Sequence, residues 1–246
     1  MKKSVYVLAA ALCLAFAAAS THASTINLST GQNPLGTLST TDGACDAQWT
    51  VVNQNPIGTA GANTPYGCSG SPNPAQMVFS GDADWYGGWV PDGTSNGCTF
   101  TGCSSTGSNW VGLNSAYTAN GYGAYSVSFS LTGLNLSTVD IAGGWTLDDS
   151  GTLYLNGCTI ETSGDGGWGS LQAFSITTKS NPGCINAGSN TLMAVIQDTD
   201  DYLEGVDVDA TVTGSAGSSS TPEPGSLLLL ASGFLGVAGF LRRKLA

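Results

Sequence analysis

The stretch Tyr125-Ser126-Val127-Ser128-Phe129-Ser130-Leu131 places an apolar side chain at every odd position and a serine at every even one. Successive side chains of a β-strand point to opposite faces, so these residues predict a strand with one face packed and the other toward water. Helical packing needs apolar residues three and four apart, and nothing between Ser24 and Thr213 shows a convincing run of that period. This strand is expected over Gly123–Leu131. Outward from it, short runs bounded by Gly, Asn, Asp, Ser and Pro predict strands over Gln48–Val52, Gln76–Ser80, Trp110–Leu113, Val139–Leu147, Thr152–Leu155, Leu171–Thr177, Thr191–Gln197 and Gly205–Val212. About nine such strands fold over to bury a face, so the expected class is all-β, a two-sheet β-sandwich. Trp145 shares the parity of Ile141, Gly143 and Leu147 and is expected in the core.

Composition narrows function. Charged residues make up 9% of the 246 and glycine contributes 35, which excludes helical bundles and coiled coils. Of six Lys and Arg, all but Lys179 lie at the termini, against 17 acidic residues. Nucleic-acid binding is excluded, because a phosphate backbone is held by clustered basic side chains. The single histidine, His22, lies just before the expected leader cleavage point. A chain that has lost it builds neither a Ser-His-Asp or Cys-His centre nor a His-ligated zinc site.

Both ends read as addresses. Lys2 and Lys3 precede the apolar run Val5 to Ala19, and Thr21-His22-Ala23 supplies small residues where signal peptidase reads, so residues 1–23 are expected to be a signal peptide. At the other end, Thr221-Pro222-Glu223-Pro224-Gly225 is followed by the apolar run Ser226 to Leu241 and then Arg242-Arg243-Lys244. As a helix, that run reaches about 24 Å, a marginal transmembrane span over 226–241. The basic residues act as a cytoplasmic membrane stop, which leaves the bulk of the chain outside. Between ectodomain (24–213) and tail (222–246), residues 214–221 form a Gly/Ser-rich tether.

This tripartite tail resembles the PEP-CTERM sorting signal of Gram-negative bacteria, whose members are handled by a membrane enzyme called an exosortase. The resemblance implies export, transient anchoring in the inner membrane, recognition at Pro222, Glu223 and Pro224 by an exosortase-like processing enzyme, and delivery to the cell surface or extracellular matrix. The stretch Gly121 to Gly157, with Gly144-Trp145-Thr146-Leu147-Asp148-Asp149 and Thr152-Leu153-Tyr154-Leu155-Asn156-Gly157, is similar to jelly-roll, galactose-binding-like ectodomains. Gly188 to Leu192 and Gly205 to Val208 fit the closing strands of the same sandwich.

With Cys13 inside the leader, six of the seven cysteines remain: Cys45, Cys68, Cys98, Cys103, Cys158 and Cys184. An even count in an exported chain predicts disulfides. Six cysteines allow fifteen connectivities; closeness along the chain suggests Cys45 with Cys68, Cys98 with Cys103, and Cys158 with Cys184. The segment Gly87 to Asn109 is expected to be a surface loop stapled by Cys98 and Cys103.

Two groups of side chains could carry chemistry. Asp148-Asp149-Ser150-Gly151 and Asp198-Thr199-Asp200-Asp201 offer hard oxygen ligands suited to calcium, or they simply make exposed turns. Asp84-Trp85-Tyr86-Gly87-Gly88-Trp89 offers aromatic faces and a carboxylate for sugar contact, or packs in the interior. No spacing picks out a carboxylate pair for hydrolysis. The sequence therefore reads as a non-catalytic exported surface or matrix protein. A lectin-like module binding extracellular polysaccharide is the second reading, and a secreted glycan-active hydrolase the third.

Overall fold

A computed structural model describes residues 23–39, 44–56, 73–77, 98–112, 121–164, 169–198 and 205–217. The leader up to His22, Cys68, the Asp84–Trp89 cluster, Asp200, Asp201 and the tail with Pro222, Glu223, Pro224, Arg242, Arg243 and Lys244 lie outside the described residues. The strands are β1 (Ala23–Asn27), β2 (Cys45–Pro56), β3 (Asn73–Met77), β4 (Val111–Gly112), β5 (Gly121–Ser130), β6 (Asp140–Asp148), β7 (Ser150–Leu155), β8 (Cys158–Ser163), β9 (Gln172–Thr177), β10 (Ser189–Asp198) and β11 (Gly205–Ser215). Among the described residues no helix is long and apolar enough to cross a membrane.

Hydrogen bonding runs in the order β8-β7-β10-β5-β2-β3-β4-β11-β6-β9, with β1 on β11. The strands are layered as a two-sheet sandwich. Tyr125, Val127 and Phe129, the apolar positions of β5, enter one core with Leu192, Ala194 and Ile196 of β10 and Leu153 and Leu155 of β7. The opposite layer contributes Ile141, Trp145 and Leu147 of β6, Phe174 and Ile176 of β9, and Val206, Val208, Ala210 and Val212 of β11. Each such side chain taken fully out of water contributes about 1.5–3 kcal/mol before the entropy of ordering it is subtracted. Trp145 is fully buried. The serine face of β5 meets β10 through matched hydroxyls, Ser128 Oγ lying 3.3 Å from Thr191 Oγ1.

Two strands escape the sequence reading. β8 follows β7 through Asn156 (φ 51°) and Gly157 (φ 83°), a two-residue turn with both φ positive, which suits Asn-Gly and matches the right-handed twist of a hairpin. Its sequence, Cys-Thr-Ile-Glu-Thr-Ser, is polar and half-exposed, so alternation is faint. β1 begins at the expected leader cleavage point, and its sequence Ala-Ser-Thr-Ile-Asn has one large apolar residue. It pairs with the last strand, Ala23 opposite Ser215 and Asn27 opposite Thr211. β11 itself runs to Ser215, through Gly214 of the stretch read as a tether.

In its described part the expected loop carries the Cys98–Cys103 staple and stays at the surface through Thr106, while its end from Gly107 to Asn109 is buried. Residues 98–110 lie against the outer face of β6 and β11, with Ser108, Asn109 and Trp110 buried. The approach is closest at Gly102 (φ 95°), where an added Cβ would overlap the Ala142 carbonyl of β6. Only glycine meets both demands.

Cys158 and Cys184 are joined across 26 residues of sequence, and Asn156 reinforces the same corner by donating to Cys184 O (2.7 Å) and Asn190 Oδ1 (2.8 Å). Constraining a loop of that length in the unfolded chain stabilises the fold by about 3 kcal/mol. The double variant Cys158→Ala/Cys184→Ala is expected to lose about that much in denaturant unfolding, with the β-sheet circular dichroism retained; a loss below about 0.5 kcal/mol would contradict this account.

Candidate functional site

The side chains of β11 alternate Val206, Asp207, Val208, Asp209, Ala210, and every one of these residues is fully buried. The valines face the core. The aspartates face the opposite way, under a cover made by residues 28–33 and the 98–110 segment. Ser29 Oγ donates to Asp209 Oδ1 (3.2 Å) and the Ser104 amide to the same oxygen (2.6 Å), while Thr30 Oγ1 donates to Asp207 Oδ1 (3.3 Å). The same hydroxyls accept from the strand: Ala210 N donates to Ser29 Oγ (3.1 Å) and Val208 N to Thr30 Oγ1 (3.0 Å). β1 is thus continued along β11 by side chains, interleaved with the backbone bonds from Leu28 N to Ala210 O and Thr30 N to Val208 O.

Asp46, at the start of β2, is the third buried acid of this cover and fastens it to the core. Its Oδ1 accepts from Gln48 N and Trp49 N (both 2.7 Å) and its Oδ2 from Gly31 N (2.6 Å). The turn so formed drives Trp49 inward, where the indole Nε1 donates to Leu28 O (2.8 Å). Burial pushes the Asp46 carboxyl from 3.8 up to about 6, against the opposing pull of the bonds from Trp49, Gln48 and Gly31.

The expected calcium ligands divide. Asp148 and Asp149, at the junction of β6 and β7, are buried rather than exposed turn residues. The register brings the end of β10 and the start of β11 to the β6–β7 junction: Gln197 lies opposite Ser150 and Gly205 opposite Asp148. Asp198 ends β10 there, opposite Gly121. Among the described residues, the ligand atoms close enough to share an ion are those of Cys98, Cys103 and Asp209. Those two sulfurs are joined in a disulfide, which removes them as thiolate ligands. Cys45 is disulfide-bonded as well.

A groove of about 520 Å³ opens where the cover ends. Thr25 and Asn27 of β1 and Thr211 of β11 form its floor, Pro34, Leu35 and Gly36 one wall, and Cys103 to Thr106 the other. Internal bonds fix both walls. Asn33 Oδ1 accepts from Leu35 N (2.9 Å) and Thr37 N (3.0 Å), shaping the first; Thr106 Oγ1 donates across to Gly36 O (3.1 Å); Thr211 Oγ1 donates to Gly102 O (2.9 Å). Apart from Cys103, read as a disulfide partner, sequence reasoning singles out none of these residues, because they meet only through the pairing of first strand with last.

Residues 220–244 match the family model of the PEP-CTERM protein-sorting motif. The motif implies an exported, sorted protein that is processed by an exosortase. No curated protein matches the chain. Among solved structures it is similar to the CBM36-1 domain of a multidomain xylanase from the hindgut metagenome of Trinervitermes trinervoides, at 18% identity over 48% of this chain and 88% of that one, with a TM-score of 0.25. A family 35 carbohydrate binding module from Clostridium thermocellum aligns at 16% identity over 48% of this chain and 87% of that one, TM-score 0.26. A cycloisomaltooligosaccharide glucanotransferase from Paenibacillus sp. aligns at 11% identity over 47% of this chain, TM-score 0.25, and the match spans 16% of that longer chain.

The buried Asp46 sets a pH dependence whose sign is opposite to that of a salt-bridged carboxylate. Its folded-state value lies above its unfolded one, so the folded protein binds this proton more tightly; the stabilisation is complete below pH 3.8 and is lost as pH rises through about 6. Between pH 4 and 7 the unfolding free energy is therefore expected to fall by up to about 3 kcal/mol more for the wild type than for Asp46→Asn. Denaturant melts at each pH check this, and parallel curves for the two proteins would contradict it.

Proposed function

We propose that this is a non-catalytic cell-surface or extracellular-matrix protein, exported through its N-terminal signal and sorted through its C-terminal one. The observation that carries the reading is the sorting-motif match over residues 220–244, which coincides with the ordered triplet, apolar run and basic end. Signal peptidase removes residues 1–23. The segment 226–241 holds the chain in the inner membrane until an exosortase-like enzyme acts at Pro222-Glu223-Pro224, with Arg242, Arg243 and Lys244 as the stop. The non-catalytic reading is supported by the use made of the carboxylates around β11: Asp46, Asp207 and Asp209 are buried and accept from backbone amides and hydroxyls. Glycoside hydrolysis needs two carboxyl groups about 5–10 Å apart flanking an accessible bond.

Mass spectrometry of the protein recovered from the cell surface is expected to find a new C-terminus near Pro224 and no peptide containing Arg242. An intact tail on the surface form would overturn processing and leave simple anchoring.

The end of β10 beside the Asp148–Ser150 junction favours a structural role for calcium there, and the oxygen donors we assign to it are Asp148, Asp149, Asp198, Asp200 and Asp201. Such donors suit a hard cation. Calcium at a hundred times its dissociation constant would stabilise the fold by about 2.7 kcal/mol, so EDTA is expected to lower the melting temperature and added calcium to restore it. A melt unchanged by either sinks this assignment without touching the sorting reading.

A further inference from the structure

The geometry points to the groove between the Pro34–Gly36 turn and the Cys103–Thr106 segment as a binding site for a neutral, hydroxyl-rich polymer, a neutral polysaccharide. The inference deepens the surface-protein reading by naming a ligand class, and it does not depend on how the tail is processed.

The first argument is charge. The chain carries a net charge of -11, yet none of the residues lining the groove is charged. An anionic polymer would approach against the field of the whole protein, and a cationic one would find no carboxylate in the lining to receive it. A neutral ligand meets neither obstacle.

The second argument is what the lining leaves available. Asn27, Thr106 and Thr211 spend side-chain hydrogen bonds on holding floor and walls together: Asn27 Nδ2 on Gln32 Oε1 and Asn33 O, Thr106 on Gly36, Thr211 on Gly102. The hydroxyls of Thr25 on the floor and Ser105 on the wall make no hydrogen bond among the described residues, and both residues are exposed. Leu35 stands 92% exposed at the rim beside Pro34. The site thus offers free hydroxyls, each able to donate and accept, next to a small aliphatic ledge. A pyranose ring presents the complementary surface, with hydroxyls around its edge and C–H groups on its faces.

The third argument is preorganisation. A wall fixed by cross-groove bonds and a disulfide loses little freedom on binding, which lowers the cost of association. The groove's volume falls in the range of small-ligand sites. No aromatic face lines it, so each contact is weak. Display of many copies on a surface, against a polymer that repeats its epitope, raises the overall avidity without further contacts.

The test uses the full chain in a detergent that contains no sugar, such as lauryldimethylamine oxide, so that its result is separate from export and processing. Saturation-transfer NMR and affinity electrophoresis are run with maltoheptaose, cellohexaose, xylohexaose and their parent polymers as neutral probes, and hexagalacturonate as the charged one. At least one neutral probe is expected to bind. Leu35→Asp, which places a charge on the ledge, and Thr25→Val/Ser105→Ala, which removes the free hydroxyls at nearly constant bulk, are each expected to weaken binding at least fivefold while the circular dichroism stays that of the wild type. All of these positions are exposed, so the variants leave the core intact. No binding of any neutral probe, equal or tighter binding of hexagalacturonate, or full binding by the Thr25→Val/Ser105→Ala variant would overturn the assignment.

Discussion

Strand β11 is buried on both faces, with valines toward the core and Asp207 and Asp209 toward the other side. Much of the architecture around it answers that constraint. A carboxylate out of water is tolerable only where donors meet it, and donors reach these two from remote parts of the chain. The hydroxyls of Ser29 and Thr30 arrive by extending β1, and the Ser104 amide arrives on a segment closed by the Cys98–Cys103 disulfide. Gly102 lets that segment lie on β6 without a side chain between them. The groove is what remains where the cover stops.

Asp46 shows the same economy at a second point. One carboxylate gathers amides from Gly31, Gln48 and Trp49 and so ties the extension of β1 to β2. Trp49 then closes the connection by donating to Leu28 O. Each of these polar groups joins a segment of the cover to a strand of the sandwich, and the acids that might suggest chemistry are consumed in doing so.

The sandwich was legible wherever one face of a strand meets solvent and the other meets the core. Tyr125 to Leu131 is the clearest case, because its serines are small, polar and perfectly out of phase with the apolar residues. Alternation in β11 carries the same message and is misleading there. Val-Asp-Val-Asp reads as core against water, but residues about 100 and 180 positions away in sequence cover the aspartates. Asp148 and Asp149 likewise look like exposed turn residues and are buried. β1 was hidden because its five residues sit at the edge of the leader and carry one large apolar side chain. A strand whose partner is the last in the chain leaves no local mark. The sorting tail was legible without any fold, since its information lies in the order of a triplet, an apolar run and three basic residues.

The pairing of Ser24 with Gly214 and of Asn27 with Thr211 also fixes a sequence of events for a chain that crosses a membrane from its N-terminus onward. The first strand reaches the far side with nothing to pair with. Its partner emerges last, a few residues ahead of the sorting motif that starts at residue 220. Until then the segments that cover Asp207 and Asp209 have no acids to meet, the floor of the groove lacks Thr211, and Leu28 has no strand to lie against. Closure of the domain is therefore timed by the arrival of its C-terminal end, and the segment that completes the fold is the one adjoining the segment that determines where the protein goes.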